Sequence, residues 1–357
     1  MLNLAFFHSL RSHDLHPLPE PLCRHREISL MTSNKMHRIA FLSLMAAETL
    51  AVLKSQVPDG FEIIFAQSND RAEHLRMVEA AEYIFVGAVT IDTDLIEHAP
   101  HLKMIQKWGI GVEKIDLEAA REKGIMVAIT NGANSLPVAE HTIMLMLASL
   151  RRLPLAHNSV LEGQWITPTL RTTCNQLEGK TVGLFGFGNI AQAVAKRLAG
   201  FDVRILYYSR HPVEAQMERD LGVTRVDLDT LLAQSDILSL HTTLNPRTKH
   251  VINADALAKM KPSAILINTA RGALIDELAL VEALQDGRLR GAGLDTFCVE
   301  PLEKDHPLRQ LDQVILTPHS GASVAEVVAK IGAHAMNNMQ RFEQGLPLDP
   351  ADIIVKP

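Results

Sequence analysis

From Arg38 onward, apolar and polar positions follow two alternating periods. Short apolar runs of strand character cover 39–42, 62–66, 83–87, 102–106 and 125–129. Stretches of helical period lie between them, as at 46–54 and 117–123. Strand and helix in alternation imply parallel strands joined by crossover helices. A longer helix is expected from Pro137 through Arg152. Asn134 or Ser135 can cap it, and Pro137 fits its first turn, where the missing N–H costs nothing. A looser stretch is expected over 153–180. A second alternation then places strands at 181–185, 203–208, 237–241, 264–268, 293–297 and 314–317, and a final helix at 323–344. No internal repeat or low-complexity tract interrupts the pattern.

The bulk numbers narrow the class. A chain of 357 residues, 47% hydrophobic and 21% charged, suits two globular domains with a core each. A net charge of -6 without a basic block argues against nucleic acid or an anionic membrane as partner. The three cysteines, Cys23, Cys174 and Cys298, are odd in number and widely spaced. They form no disulfide framework and no CxxC pair, which fits a reducing cytoplasm. The most apolar run, around 142–150, is too short to span a bilayer. The histidines show neither HExxH nor another ligand spacing, so no metal is expected. Residues 1–36 lack periodicity and carry scattered His, Arg and Pro. Their apolar run at 2–7 has no basic flank before it and no cleavage site after it. The segment reads as a disordered extension, or as a start codon placed too early, with Met31 or Met36 as alternatives.

The strand at 181–185 runs into Gly186-Phe187-Gly188-Asn189-Ile190-Ala191, and a helix follows. This is the G-x-G-x-x-G/A pattern in the setting it requires. Gly186 permits the tight turn, Gly188 lets a pyrophosphate approach the backbone, and Ala191 lets helix pack on strand. The helix N-terminus offers free N–H groups and its positive dipole end to the anion. A structural glycine turn is the alternative. The following strand bears on the cofactor. An NAD site usually carries an acid at its end for the ribose 2′-hydroxyl; here the chain reads Ser209-Arg210-His211-Pro212. Arg210 can pair with a 2′-phosphate, which favours NADP(H) over NAD(H), unless it is a solvated surface residue. The expected fold is α/β: two Rossmann-like or flavodoxin-like parallel-sheet domains with a cleft between them, joined by hinge helices. Residues 37–136 with 323–357 would form the substrate domain, and 137–322 the dinucleotide-binding domain.

Three chemically active residues follow strands of the second set: Arg271 after 264–268, Glu300 after 293–297, and His319 after 314–317. Ligands of open parallel sheets bind beyond the carboxyl ends of the strands, so all three are expected at the crevice of the glycine loop. His319 can give a proton to a carbonyl oxygen as hydride arrives, and take it back in reverse. Glu300 can favour its charged form and fix its tautomer. Arg271 can hold a carboxylate and polarise the carbonyl. Taken singly, each has a bland reading: a surface ion pair, a turn residue before Pro301, a structural strand end.

With these residues in place the chain resembles the D-isomer-specific 2-hydroxyacid dehydrogenases over about residues 38–345. The resemblance rests on Gly109-Ile110-Gly111-Val112-Glu113-Lys114-Ile115-Asp116, Ala139-Glu140-His141-Thr142, the glycine loop, Asn268-Thr269-Ala270-Arg271-Gly272, Asp295 through Glu300-Pro301, and Thr317-Pro318-His319. It implies a catalytic Arg–Glu–His set at Arg271, Glu300 and His319. It also implies cofactor contacts at Gly186, Gly188, Asn189, Ile190, Ser209, Arg210, Thr242, Thr269, Ala270, Asp295 and Gly321. On the substrate side it implies that Val86-Gly87-Ala88 meet the carboxylate through backbone N–H groups, with Lys107-Trp108-Gly109 lining the same cleft. Trp108 reads equally as a core residue. Glu140 and His141 suit a structural or interdomain role. The activity implied is NADP(H)-dependent reduction of a small 2-keto acid of glyoxylate or hydroxypyruvate type, commonly on a homodimer built through the cofactor domain. Formate dehydrogenases of the family carry Gln where this chain has Glu300, which argues against that activity. No regulatory domain is expected after Gln344, which argues against the long phosphoglycerate dehydrogenases. His241-Thr242-Thr243 lacks the Pro usual in its cofactor-contacting segment. Two other classes compete: a cofactor-sensing protein that binds partners without turnover, and a methyltransferase with a similar glycine loop, which would want an acid after the second strand and gives His319 no role.

Overall fold

The computed structural model describes residues 36–357. The extension expected over 1–36 therefore lies outside the described residues, apart from Met36. The first lobe runs β1 (His37–Phe41), α1 (Ala47–Ser55), β2 (Phe61–Phe65), α2 (Arg71–Glu79), β3 (Tyr83–Val86), α3 (Thr93–Glu97), β4 (Met104–Lys107), α4 (Leu117–Glu122) and β5 (Met126–Ala128). Next come α5 (Ser135–Arg151), α6 (Leu153–Leu161) and α7 (Thr167–Thr173). The second lobe holds β6 (Thr181–Phe185), α8 (Asn189–Leu198), β7 (Arg204–Tyr208), α9 (Ala215–Leu221), β8 (Val223–Arg225), α10 (Leu228–Gln234), β9 (Ile237–Leu240), α11 (Ala254–Lys259), β10 (Ile265–Asn268), α12 (Glu277–Gln285), β11 (Gly291–Leu294) and β12 (Val314–Leu316). The chain ends in α13 (Ala325–Glu343) and β13 (Ile353–Val355).

Two α/β domains result, each built on a parallel sheet. The first sheet has the order β13-β5-β4-β3-β1-β2, parallel except for β13, which pairs antiparallel with β5. The second has the order β12-β11-β10-β9-β6-β7-β8, parallel throughout. Central strands of such sheets are covered on both faces, which is why β3, β9 and β10 are apolar runs rather than alternating ones. Strand order reverses between β1 and β3 in the first sheet and between β6 and β9 in the second. A crevice opens at each such switch point, beyond the carboxyl ends of the strands.

Two helices tie the lobes together. α5 lays Ala139, Ile143, Leu145 and Met146 on Val182, Leu184, Ile265 and Ile267 of the second sheet. Gly293 permits the close approach: a Cβ there would lie 2.9 Å from Ile267 Cδ1 and 3.1 Å from Leu145 Cβ. α13 returns to the first sheet and buries Val327, Ile331, Ala335 and Met339 against Ile39, Phe41, Tyr83 and Met104.

The structure departs from the sequence pattern in four places. The stretch 153–180 is not loose but carries α6 and α7. Their apolar residues face outward, Leu161 being 73% exposed, so no buried stripe marks them. β11 covers 291–294 rather than 293–297, because its ladders end at Asn268–Leu294 and Leu294–Leu316. Thr296 and Phe297, though buried, have left the sheet. β8 and β13 are edge strands of three residues, too short to show a period. Among the described residues no helix is long and apolar enough to cross a membrane.

Candidate active site

The glycine loop sits at the switch point of the second sheet. Gly186 has φ +93, and a Cβ there would lie 2.6 Å from the His241 carbonyl carbon at the end of β9 and 2.7 Å from the Thr242 nitrogen. Only glycine lets the loop turn that close to the neighbouring strand. Burial pushes the His241 ring down to about 3, so it is neutral there; its Nε2 lies 2.9 Å from Ser239 Oγ. Gly188 is the N-cap of α8, with no side-chain cap and open space where a Cβ would stand. The N–H groups of Asn189, Ile190 and Ala191 therefore face outward, as a bound pyrophosphate requires. Ala191 is fully buried beneath them. The residues present thus fit a dinucleotide. Asn189 also reaches across the cleft, its Nδ2 donating to Asn131 Oδ1 at 3.3 Å. Ser209 and Arg210 stand just past β7, with Arg210 exposed. The Ser209 carbonyl accepts a bond from Arg225 Nη2 at 3.0 Å.

The three chemically active residues leave adjacent strands. Past β10, Asn268 bridges its own loop: its Oδ1 accepts from Ala270 N–H at 3.0 Å, and its Nδ2 donates to the Arg271 carbonyl at 2.9 Å. Thr269 Oγ1 lies 2.9 Å from Thr142 Oγ1 on α5. Arg271 then projects across the cleft, its Nε donating to Glu113 Oε1 of the first lobe at 2.9 Å. Its Nη1 donates to the Ala270 carbonyl at 2.6 Å. A Cβ on Gly111 would lie 1.8 Å from Arg271 Nη2, so that glycine makes room for the guanidinium. Gly272 presses the loop on the one after β11: a Cβ there would lie 1.9 Å from the Phe297 carbonyl carbon.

Past β11, Glu300 Oε1 accepts from Phe297 N–H at 3.0 Å, and its Oε2 meets His319 Nδ1 at 2.7 Å. Burial works to raise the Glu300 carboxyl. The bonds from His319 and Phe297 and the positive charge of Arg271 outweigh it, and the group lies below the usual carboxylate range. An ionised Glu300 accepts only, so the His319 ring donates through Nδ1–H and keeps Nε2 free. The ring is about half exposed, 49%. His319 itself has φ +51, a left-handed conformation that a side chain other than glycine adopts only under constraint. Asp295 supplies the constraint. Its carboxylate accepts from Thr317 Oγ1 at 2.6 Å and from the N–H groups of Ser320 and Gly321 at 2.8 and 2.9 Å. His141 Nε2 of α5 stands 3.3 Å away and also bonds Thr317 Oγ1 at 3.0 Å. Burial tends to raise the Asp295 carboxyl, yet these four partners hold it below its ordinary value.

On the first-lobe side, the Val86–Ala88 segment lies at the β1/β3 switch point. The Gly87 N–H already donates to Ser43 Oγ at 2.7 Å, and the Ala88 N–H makes no hydrogen bond to the described residues. Lys107 Nζ donates to the Gly87 carbonyl. Burial, helped by the charge of Arg271, pushes the amine down to about 8. Gly109 N–H donates to Thr130 Oγ1 at 2.9 Å. Trp108 stacks on Phe85, centroids 5.5 Å apart, and meets Phe41 edge-on, so its ring packs on the core of the first sheet. Reasoning from the sequence missed Glu113, Ser43 and Arg225. Glu113 lay inside a quoted motif, but nothing local ties it to a residue 158 positions later. Among the described residues one group, His37, Glu82 and Glu343, has the spacing of metal ligands. Lys103 Nζ lies 2.7 Å from Glu82 and 2.9 Å from Glu343, so an ammonium supplies the positive charge there.

Comparison with known proteins agrees with this architecture. Residues 143–321 match the model of the D-isomer specific 2-hydroxyacid dehydrogenase, NAD binding domain. The chain is 43% identical to the hydroxypyruvate reductase of Thermotoga maritima over 266 residues, 74% of this chain and 85% of that protein. It is 42% identical to the glyoxylate reductase of Thermofilum pendens, over 70% of this chain and 74% of that one. It spans 55% of the length of the D-3-phosphoglycerate dehydrogenase of Mycobacterium bovis, which it also matches. Among solved structures, the TT0316 protein of Thermus thermophilus superposes with a TM-score of 0.79 at 35% identity, covering 89% of this chain and all of that one. The chain belongs to the D-isomer specific 2-hydroxyacid dehydrogenase family. It is thus an oxidoreductase of 2-hydroxy acids with a nicotinamide cofactor.

Proposed function

We propose that the protein reduces a small 2-keto acid, glyoxylate, hydroxypyruvate or a near relative, with NADP(H) as preferred cofactor and NAD(H) as the lesser alternative. The observation that carries the chemistry is the 2.7 Å His319–Glu300 pair set beside Arg271, beyond the ends of three neighbouring parallel strands. A bound nicotinamide supplies the hydride. Arg271 receives the substrate carboxylate: its Nη2 makes no hydrogen bond to the described residues, while Nε and Nη1 hold the guanidinium in place. Ala88 N–H adds a neutral donor. Glu300 orients His319 through Nδ1, and the ring passes a proton from Nε2 to the alkoxide oxygen as it forms. In the oxidative direction the same nitrogen takes the proton from the alcohol. Asp295 holds the His319 loop at the cofactor edge of the cleft. Support for small substrates comes from the hydroxypyruvate and glyoxylate reductases among the relatives. Support for NADP(H) comes from the run Ser209-Arg210-His211-Pro212 that follows β7, which carries no acid.

In this reading residues 37–136 and 323–357 bind substrate, and 137–322 bind the dinucleotide. The enzyme works in the cytoplasm as a homodimer. The outward apolar face of α6 and the turn after it, with Leu153, Val160, Leu161 and Trp165, is the surface a second copy would cover. The deciding experiment follows the absorbance of the reduced cofactor with NADPH or NADH against glyoxylate, hydroxypyruvate, pyruvate and phenylpyruvate. Rapid NADPH oxidation with one of the small acids is the expected result. Folded protein that binds dinucleotide but oxidises neither cofactor would overturn the reading and favour a cofactor-sensing role.

A further inference from the structure

Arg225, the last residue of β8, is placed beside the end of β7 by the parallel ladder. It pairs with Tyr207, and the next residue, Val226, donates its N–H to the Tyr207 carbonyl at 2.9 Å. Its side chain turns over the strand end, and Nη2 donates to the Ser209 carbonyl at 3.0 Å. The guanidinium therefore rests where a dinucleotide-binding sheet holds the substituent on the adenosine ribose. One of its five N–H donors is engaged, and it forms no salt bridge among the described residues. The nearby carboxylate of Glu218 is bonded to Tyr207 Oη at 2.6 Å. Arg225 and Arg210 are both exposed; Arg225 has its bond to the Ser209 carbonyl, whereas Arg210 makes no side-chain hydrogen bond to the described residues.

We infer that Arg225 is a second determinant of dinucleotide choice, a preset guanidinium that meets the ribose 2′-phosphate together with Arg210 and the Ser209 hydroxyl. This rests on the NADP(H) reading above and sharpens it. A guanidinium already fixed by a carbonyl loses little freedom when an anion arrives, and a planar fork matches phosphate geometry. A 2′-hydroxyl offers no charge to either arginine, so NADH gains far less from the pair than NADPH.

The test measures dissociation constants of NADPH, NADH and the fragments 2′,5′-ADP and 5′-AMP on the full chain, for wild type, R210A, R225A and R225K. The expected result is that R225A weakens NADPH and 2′,5′-ADP by about 10- to 100-fold, the range of a charge-assisted bond. NADH and 5′-AMP change by less than about twofold on the same scale. R225K, which keeps the charge but not the fork, should fall between. Equal losses for NADPH and NADH in R225A would make Arg225 a mere support of the Ser209 turn and overturn the inference. So would an R225A protein that keeps full NADPH preference while R210A loses it; the NADP(H) reading would then stand on Arg210 alone. A wild type that binds NADH as tightly as NADPH would remove that reading, and this one with it.

Discussion

Two ionisable residues of the cleft make opposite demands on the fold. His319 has a carboxylate partner in Glu300; Lys107 carries a charge that burial disfavours. His319→Ala is expected to lower the rate of keto-acid reduction by about 10²–10⁴-fold, the usual worth of general acid–base catalysis. NADPH binding should survive, and turnover close to wild type would refute the acid–base assignment. For Lys107 the sign runs against the ordinary lysine case. Its folded-state value of about 8 lies below the 10.5 of a solvated lysine. Below about 8 the amine is charged in both folded and unfolded chains, and burying that charge opposes folding. The penalty fades between about 8 and 10.5, where only the unfolded chain keeps the proton. Lys107→Met should therefore raise the melting temperature at about pH 7 by a few degrees and lose that advantage above about pH 10. A melting temperature equal to wild type at both pH values would show that burial does not disfavour this amine.

Among the elements, the loops beyond β10 and β11 act as one unit because Gly272 lets them touch. The contact is backbone on backbone, with 1.9 Å between a would-be Cβ and the Phe297 carbonyl carbon, so no side-chain rotation can relieve it. Gly272→Ala must part the loops that carry Arg271 and Glu300. Misplacement of about 1 Å is enough to cost on the order of 10²-fold in kcat/KM. NADPH binding, which in the proposed reading draws also on the turn at Gly186, should weaken far less by fluorescence titration. A kcat/KM within about a factor of two of wild type would show that the packing is not what sets the geometry. α5 plays the complementary part: through Thr142 to Thr269, and through His141 to Thr317 and Asp295, one helix touches both the loop that carries Arg271 and the loop that carries His319.

The molecule as a whole carries its reactive groups where the two lobes meet. Arg271 belongs to the second lobe yet is held by Glu113 of the first, and Asn189 of the glycine loop reaches Asn131. The apolar face that no part of the described chain covers lies elsewhere, on α6 and the turn that follows. Trp165 there is 80% exposed. Wild-type protein is expected to run at twice the chain mass in light scattering. Leu161→Glu combined with Trp165→Glu should run as a folded monomer. A monomeric wild type, or a double variant that stays dimeric, would remove this face as the interface.

Much of this architecture is written locally. Apolar runs separated by helical period placed the strand at 181–185 on the residues the ladder uses. Gly186 and Gly188 follow it, and the turn at Gly186 needs glycine because it runs against His241 and Thr242. Arg271, Glu300 and His319 each come just after a run that must be a buried strand, so their common side of the sheet followed from parallel topology. Short-range pattern reports which face of an element is buried; it carries no record of what lies across from it. That is why β11 slid by two residues at its start, since its ends are set by where its neighbours begin and stop. It is also why α6 and α7 read as loose, since much of their apolar surface stays uncovered by the described residues. The partners that shape the site, Glu113 for Arg271, Asp295 and His141 for the His319 turn, and Arg225 for Ser209, are distant along the chain and meet only through strand order. Which residues could do the chemistry was a matter of type and local setting. Which of them are brought together was a matter of the sheets' order and the close approach of their loops.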